Sequence, residues 1–340
     1  MASSGGARVS DLKSLGEFGL IDRIAAHGLA RENGVIKGIG DDCAVLELDS
    51  DSVLLVTTDT LVEDIHFWFD RSAPEGLGYK ILAVSLSDVA AMGGTPRDSV
   101  LSVSASATCD SGYLERVFEG IFACGRRYGV NIVGGDTTRT NGPLVFSLTL
   151  MGRMPADHVL YRSGARPGDR IFVSGTLGDA GAGLHLAGND DRLAEKKREY
   201  LLRRLHRPLP RVELGRRLAE SGLATAMIDL SDGLASDLGH LARASSVDMT
   251  VDLEKIPISP SLKEFCRLSR LSAQQLAVSA GEDYELALTG EPELCHKLQL
   301  NNELTCIGEV VEGCGIVRDL KSGEVLDVRG FDHFTEECST

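Results

Sequence analysis

Leu82-Ala83-Val84-Ser85-Leu86-Ser87-Asp88-Val89-Ala90-Ala91-Met92-Gly93-Gly94 is an apolar run that carries a single carboxylate and stops at a glycine pair. Traced back to Pro74, the apolar residues Leu77, Ile81, Leu82 and Val89 recur at helical spacing, so the pattern predicts a helix over Pro74 to Met92. Asp88 does not fit it. A carboxylate near a helix C-terminus is opposed by the helix dipole, and burial opposes it further. Either Asp88 faces water on a polar side with Ser85, or a cation compensates it.

The elements on both sides of this helix suggest an alternating architecture. Val53-Leu54-Leu55-Val56 reads as a buried strand, Val100 to Ser106 alternates with period two, and Tyr113 to Tyr128 is an amphipathic helix. Val130 to Val133 and Leu144 to Met151 read as further strands, giving one α/β-type unit between Gly34 and Gly152. A glycine-rich loop with Pro167, Arg162 to Asp169, interrupts the pattern, and the strand Ile171-Phe172-Val173 opens a second run. In that run the charged stretch Asp190 to Arg198 reads as a solvated helix start or loop. Pro208 and Pro210 then precede a helix, Val212 to Ser221. The strands Ala226 to Leu230, Met249 to Leu253 and Tyr284 to Leu288 and the helix Leu234 to Ala244 complete it. With a boundary near residue 155, the expected organisation is a loose segment 1–14, an N-terminal domain 15–155 and a C-terminal domain 156–340.

Composition narrows the class. The 340 residues suffice for about two domains, and 43% hydrophobic with 25% charged residues is the balance of a globular protein. A net charge of −15 argues against a surface for nucleic acid or anionic membrane, which demands Lys and Arg patches. The eight cysteines, from Cys43 to Cys338, form no C-x-x-C pair, so a reduced, cytoplasmic setting is the simplest expectation. Met1 to Arg8 is small and polar, and no stretch approaches the ~18 apolar residues of a membrane span.

Aspartates beside glycine or hydroxyl residues recur through the chain. They stand in Gly38-Ile39-Gly40-Asp41-Asp42, Thr57-Thr58-Asp59-Thr60, Gly134-Gly135-Asp136-Thr137-Thr138 and Asp229-Leu230-Ser231-Asp232-Gly233. One such aspartate is ordinarily a turn or an N-cap residue, but four clusters in one chain suggest carboxylates at strand ends facing a ligand. Hard oxygen ligands gathered from several elements suit Mg²⁺, which keeps water and phosphate oxygens in its shell. Of the eight histidines only His66 lies near a motif. Ser174-Gly175-Thr176-Leu177-Gly178-Asp179-Ala180-Gly181-Ala182-Gly183 could offer backbone N–H groups to phosphate, although glycine turns between strand and helix are common. No G-x-x-x-x-G-K-[ST] occurs, which excludes a P-loop mechanism. In Gly281-Glu282-Asp283-Tyr284-Glu285-Leu286, strand alternation would send Glu282 and Tyr284 to one face and Asp283 and Glu285 to the other.

Together these motifs, with Leu61-Val62, His66-Phe67 and Arg162-Ser163-Gly164-Ala165, resemble the thiamine-monophosphate kinase family, from Gly16-Glu17-Phe18 to about Phe334. That family shares a superfamily with aminoimidazole ribonucleotide synthetase and selenophosphate synthetase. The resemblance implies a two-domain α/β (α+β) fold, N-terminal strands closing a β-barrel shared by two subunits of a homodimer, and ATP bound between the domains. It implies Mg²⁺ ligands at Asp42, Thr57, Thr58, Asp59, Asp88, Asp136, Asp229 and Asp232, of which Asp59, Asp88, Asp136 and Asp232 would act in catalysis by positioning metal and phosphate. ATP contacts would come from Gly135, Asp136, Arg162 and Ser231, and contacts to thiamine monophosphate from His66, Glu282 and Phe331.

The implied reaction is direct in-line transfer of the ATP γ-phosphoryl group to thiamine monophosphate, without a phosphoenzyme. Several Mg²⁺ ions would offset the repulsion between two phosphorylated anions, and no general base is required because the acceptor is already an oxyanion. A selenophosphate synthetase would carry a reactive Cys or selenocysteine with a nearby Lys in its N-terminal loop, whereas residues 1–30 hold Lys13 and no Cys. A non-catalytic metal- and nucleotide-binding protein would be favoured by loss of a motif aspartate, and none is missing.

Overall fold

The structure is a computed structural model that describes residues 11–70, 72–186, 193–300, 302–326 and 334. Two compact units divide the chain: Met1–Asn33 with Phe331–Thr340, and Gly34–Gly330. In the smaller unit Leu12–Ala25 forms helix α1, whose N-cap residue Asp11 accepts the Ser14 N–H at 2.9 Å. Residues 12–14, expected to be loose, therefore form a capped helical turn, which a kink at Gly16 (φ 71°) separates from the rest of α1.

The larger unit holds two six-stranded sheets. The first contains β1 (Val35–Lys37), β2 (Ala44–Glu47), β3 (Ser52–Val62), β4 (Thr95–Ala105), β5 (Asn131–Arg139) and β6 (Val145–Pro155), with helices α2 (Pro74–Ala91) and α3 (Ser111–Tyr128). Its order is β1-β2-β3-β6-β4-β5, antiparallel except for the parallel pair β4 and β5 that α3 connects. The second sheet contains β7 (Arg170–Ser174), β8 (Ala224–Asp229), β9 (Val247–Val251), β10 (Leu286–Gly290), β11 (Leu304–Glu312) and β12 (Val317–Asp319). Around it lie α4 (Asp179–Leu186), α5 (Glu195–His206), α6 (Val212–Ser221), α7 (Leu234–Ser245), α8 (Pro260–Ser269), α9 (Ala273–Ser279) and α10 (Leu294–Leu298). Its order is β12-β9-β11-β7-β10-β8. Neither sheet closes on itself.

Helix α2 ties the two sheets together because it is apolar on nearly every side. Leu77, Ile81, Leu82, Leu86, Val89, Ala90 and Ala91 are all buried, and the helix packs on α3 and β3 as well as on α6 and β8. One hydrophobic cluster accordingly includes Leu55, Phe146 and Leu148 of the first sheet with Leu214, Met227 and Leu288 of the second. Glycines permit the close approach. A Cβ on Gly78 would lie 1.8 Å from the Val117 carbonyl oxygen, and one on Gly215 would lie 2.1 Å from that of Ala90.

Three expected boundaries differ, each for a backbone reason. Strand β3 runs on to Val62, so Thr57 to Thr60 lies inside it, and its buried residues alternate instead of forming a continuous apolar run. Strand β5 continues through Gly134 and Gly135 to Arg139, since pairing with β4 supplies what glycine propensity lacks. Strand β10 begins at Leu286, because Glu282 and Tyr284 have φ of 66° and 50° and keep the preceding segment out of a ladder. No disulfide joins the described cysteines, and no described helix is long and apolar enough to cross a membrane.

Gly215→Ala should lower stability by about 1–3 kcal/mol, the usual cost of overpacking a filled contact. Gly142→Ala, where a Cβ would meet only the Thr140 hydroxyl at 3.5 Å, should cost much less. Urea unfolding of both variants checks the difference, and equal costs would remove the close α2–α6 contact as a determinant.

Candidate active site

Strand alternation on β3 sends Thr57 and Asp59 toward α2, while Thr58 and Thr60 lie on the exposed face. The Thr57 hydroxyl donates to the Asp88 carboxylate on α2, and the Ser85 hydroxyl donates to Asp59 Oδ2 at 2.6 Å. Asp88 thus joins the carboxylates and is half-buried, and Ser85, which the sequence pairs with it on a polar side, is fully buried and not turned to water. Asp42, between β1 and β2, and Asp229, at the end of β8, complete the group. One ligand oxygen from each of Asp42, Asp88 and Asp229 lies within 4.8 Å of the others.

This concentration of like charge is electrostatically expensive. Burial raises all four carboxyl pKa values: Asp42 to about 7, Asp229 to about 6, Asp59 above its usual range and Asp88 well above it, with neighbouring carboxylates adding to the effect at Asp88. Arg162 offsets part of it. Its Nε and Nη2 donate to Asp42 Oδ1 at 3.0 and 2.5 Å, and although burial alone would lower the guanidinium pKa, Asp42, Asp229 and Asp41 keep it charged. The other oxygens of Asp42 and Asp229, both Oδ2, are buried without a hydrogen-bond partner. Orphan oxygens on two carboxylates of one such group fit a hard divalent cation, which these residues could hold.

The remaining expected residues fall into distinct places. Asp232 stands in a second group with Asp237 and His240 of α7, and Asp237 Oδ2 accepts the N–H groups of Asp232 and Gly233 at 3.2 and 3.1 Å, which fixes that turn. Ser231 lies in the same turn, its hydroxyl 3.4 Å from Asp232 Oδ1. His66 Nδ1 accepts the Val62 N–H at 3.0 Å just past β3. The Thr58 hydroxyl is engaged by the Leu148 carbonyl and Thr149 on the outer face. Gly135 and Asp136 lie on the exposed edge strand β5, where register aligns Asp136 with Ser102, Ser147 and Thr60, one residue out of step with Asp59. The structure therefore does not bring Asp136 into the carboxylate group. Phe331 lies outside the described residues.

The glycine ladder does not present a free anion site. The Gly178 and Ala180 N–H groups at the start of α4 donate to the Asp283 carboxylate at 2.6 and 3.3 Å, so an internal carboxylate occupies the place expected for phosphate. Glu285 is equally committed: it is fully buried and takes hydrogen bonds from Arg204 (2.9 Å), Arg211 (2.6 and 2.7 Å) and Ser174 (2.5 Å). Asp283 and Glu285 hold structure, whereas Glu282 is left partly open. Sequence reasoning missed the partner of Glu282, Lys80, whose Nζ lies 2.6 Å from Oε1. The available signal was a lone lysine inside the apolar helix.

Comparisons with known proteins define the class and then the family. The chain matches the AIR synthase related protein N-terminal domain over residues 40–154 and the corresponding C-terminal domain over residues 166–321. Thiamine-monophosphate kinase of Salmonella typhimurium is 41% identical over 329 residues, which is 94% of this chain and 98% of that one. The structure of AaThiL complexed with AMPPCP and TMP superposes with a TM-score of 0.86 at 35% identity, covering 96% of this chain and all (100%) of the other. The thiamine-monophosphate kinase structure from Stenotrophomonas maltophilia gives 0.73 at 40% identity over 91% and 98% of the two chains. The chain belongs to the thiamine-monophosphate kinase family of the AIR synthase related proteins.

The shifted carboxyls give a pH signature. The folded state, with Asp42 near 7 and Asp229 near 6, holds protons that the unfolded chain releases near pH 4, so the metal-free protein should lose stability as pH rises from about 4 to 7. Cation binding needs the ionised forms, so the increase in Tm on adding MgCl₂ should be larger at pH 8 than at pH 5.5. Asp229→Asn should raise the Tm of the metal-free protein at pH 8 and shrink the MgCl₂ increment. A metal increment independent of pH would contradict the carboxylate group as the binding site.

Proposed function

We propose that this chain transfers the γ-phosphoryl group of ATP to thiamine monophosphate, giving thiamine diphosphate and ADP. The observation that carries the reading is the group Asp42, Asp88 and Asp229, with Asp59 hydrogen-bonded to the same helix and two orphan oxygens, in a chain related over nearly its whole length to thiamine-monophosphate kinases. Mg²⁺ held there would neutralise the phosphates and align them for in-line attack. The chain's own task is positioning. Asp42, Thr57, Thr58, Asp59, Asp88, Asp229 and Asp232 would hold the cations. Arg162 and Ser231 would contact the nucleotide phosphates and His66 and Glu282 the acceptor, a role the resemblance also gives to Phe331. The roles of Gly135 and Asp136 rest on resemblance alone. No side chain has to remove a proton, because the acceptor phosphate is already ionised.

The same reading places the domain boundary near residue 155, the nucleotide between the domains, and two copies in a cytoplasmic homodimer. Support for the dimer comes from β5, an edge strand exposed along almost its whole length with Val133 60% exposed, an open ladder that a second copy could cover in forming a shared barrel.

Incubation with ATP, MgCl₂ and thiamine monophosphate should yield thiamine diphosphate and ADP, and chelation should stop it. Asp59→Asn should reduce kcat by at least about a thousandfold while leaving circular dichroism unchanged. Nucleotide and metal binding without product would identify a non-catalytic relative. Light scattering should report about twice 36.3 kDa, and a fully active monomer would exclude the shared barrel.

Glu282→Ala should raise KM for thiamine monophosphate while KM for ATP changes much less. Equal losses for both substrates would make Glu282 a metal or structural residue.

A further inference from the structure

We propose that Lys80 is a positioning residue for the acceptor: its ammonium grips one oxygen of Glu282 and so presents the other to an amino group on the acceptor's pyrimidine ring. This rests on thiamine monophosphate being the acceptor and assigns a role to a helix residue outside the aspartate scheme.

Lys80 is 3% exposed and stands between Tyr79 and Ile81 on the buried helix α2. An ammonium so deep needs a partner that repays its lost hydration. Among the described residues its hydrogen-bond partner is Glu282, through Oε1 at 2.6 Å. The Glu282 side chain keeps 29% of its surface, and its Oε2 takes no hydrogen bond from the described residues. A carboxylate with one oxygen anchored and the other free is a directed acceptor for a neutral N–H donor, which a freely rotating glutamate is not.

The backbone around Glu282 has the same rigidity. Its φ of 66° is costly for a residue with a Cβ and persists because the surroundings enforce it. The Glu282 N–H donates to the Ser231 carbonyl at 2.7 Å and the Tyr284 N–H to that of Leu230 at 2.9 Å. At Gly281 a Cβ would lie 2.3 Å from the Ser231 oxygen, so the segment lies directly on the turn that carries Ser231 and Asp232. The segment runs on into β10, where Leu286 pairs in register with Asp229 and the Leu230 N–H donates to the Glu285 carbonyl at 2.8 Å, so the Lys80–Glu282 pair lies on the chain segment next to the carboxylate group. His206 also feels both members of the pair and is driven down to about 4 by burial and by Lys80, so it is neutral near pH 7 and does not compete as a cation. Lys80 and Asp88 are eight residues apart on one helix, about 12 Å along its axis. A single rigid element thereby sets both the phosphate end of the site and the position of Glu282.

The test is a double-mutant cycle in the full chain with ATP and thiamine monophosphate, using Lys80→Met, Glu282→Gln and the pair. Each single change should raise KM for thiamine monophosphate about tenfold, with KM for ATP and kcat within about twofold, and the double variant should be no worse than the poorer single. Additive losses, about a hundredfold in the double variant, would mean that Lys80 touches the acceptor itself or serves only the fold. An unchanged KM in Lys80→Met would also overturn the proposal. Should Lys80→Met fail to fold by circular dichroism, the cycle is run with Lys80→Gln, which keeps a donor at the same depth but no charge. A wild-type chain that makes no thiamine diphosphate overturns the proposed function and this inference with it, whereas an active wild type with additive variants overturns the role of Lys80 alone.

Discussion

Carboxylates from Asp42, Asp88 and Asp229 bring ligand oxygens within 4.8 Å of one another, with Asp59 hydrogen-bonded to the α2 helix that carries Asp88, and among the described residues Arg162 is the cation paired with them. Two like charges 4 Å apart repel by about 4 kcal/mol even at an effective dielectric of 20, so such a group collapses unless rigid elements hold it. The surrounding architecture supplies them. Strand β3 is fixed by β2 and β6, α2 is locked on every side, and Asp229 ends a strand paired with β10. Stability is given up locally so that ligand oxygens are already in place for a cation, whose arrival favours their ionised forms.

Much of this could be read from the sequence where one residue type has one physical meaning. The α2 span and the Val212–Ser221 helix were legible because apolar spacing and terminal glycine or proline are strong local signals. The aspartate motifs were legible as a set because so many carboxylates next to glycine exceed what turns require. The extent of β5 was not, since Gly134-Gly135 reads locally as a turn and only the neighbouring strand makes it a ladder. Nor was the separation of Asp136 from Asp59, which depends on register between strands that sequence does not reveal.

The Gly281–Glu285 segment shows a right expectation reached through the wrong geometry. Alternation assigned Asp283 and Glu285 to one side and Glu282 to the other, and the structure agrees, but through left-handed residues at Glu282 and Tyr284 instead of a pleat. Asp283 then takes the helix N-terminus that the glycine ladder offered, and Glu285 is held by two arginines. What looked like an anion site is a structural clamp, because an internal carboxylate is always present and outcompetes a solute.

The shared core around α2 bears on cooperativity. With Leu55 and Leu148 in one apolar cluster with Leu214, Met227 and Leu288, cutting the chain near residue 155 would expose matching hydrophobic faces on both fragments. The two halves should therefore melt in a single transition, and relative motion between them is restricted to what loops and side chains allow while α2 stays seated. Domain recombination among relatives would have to exchange the helix together with both of the surfaces it fills.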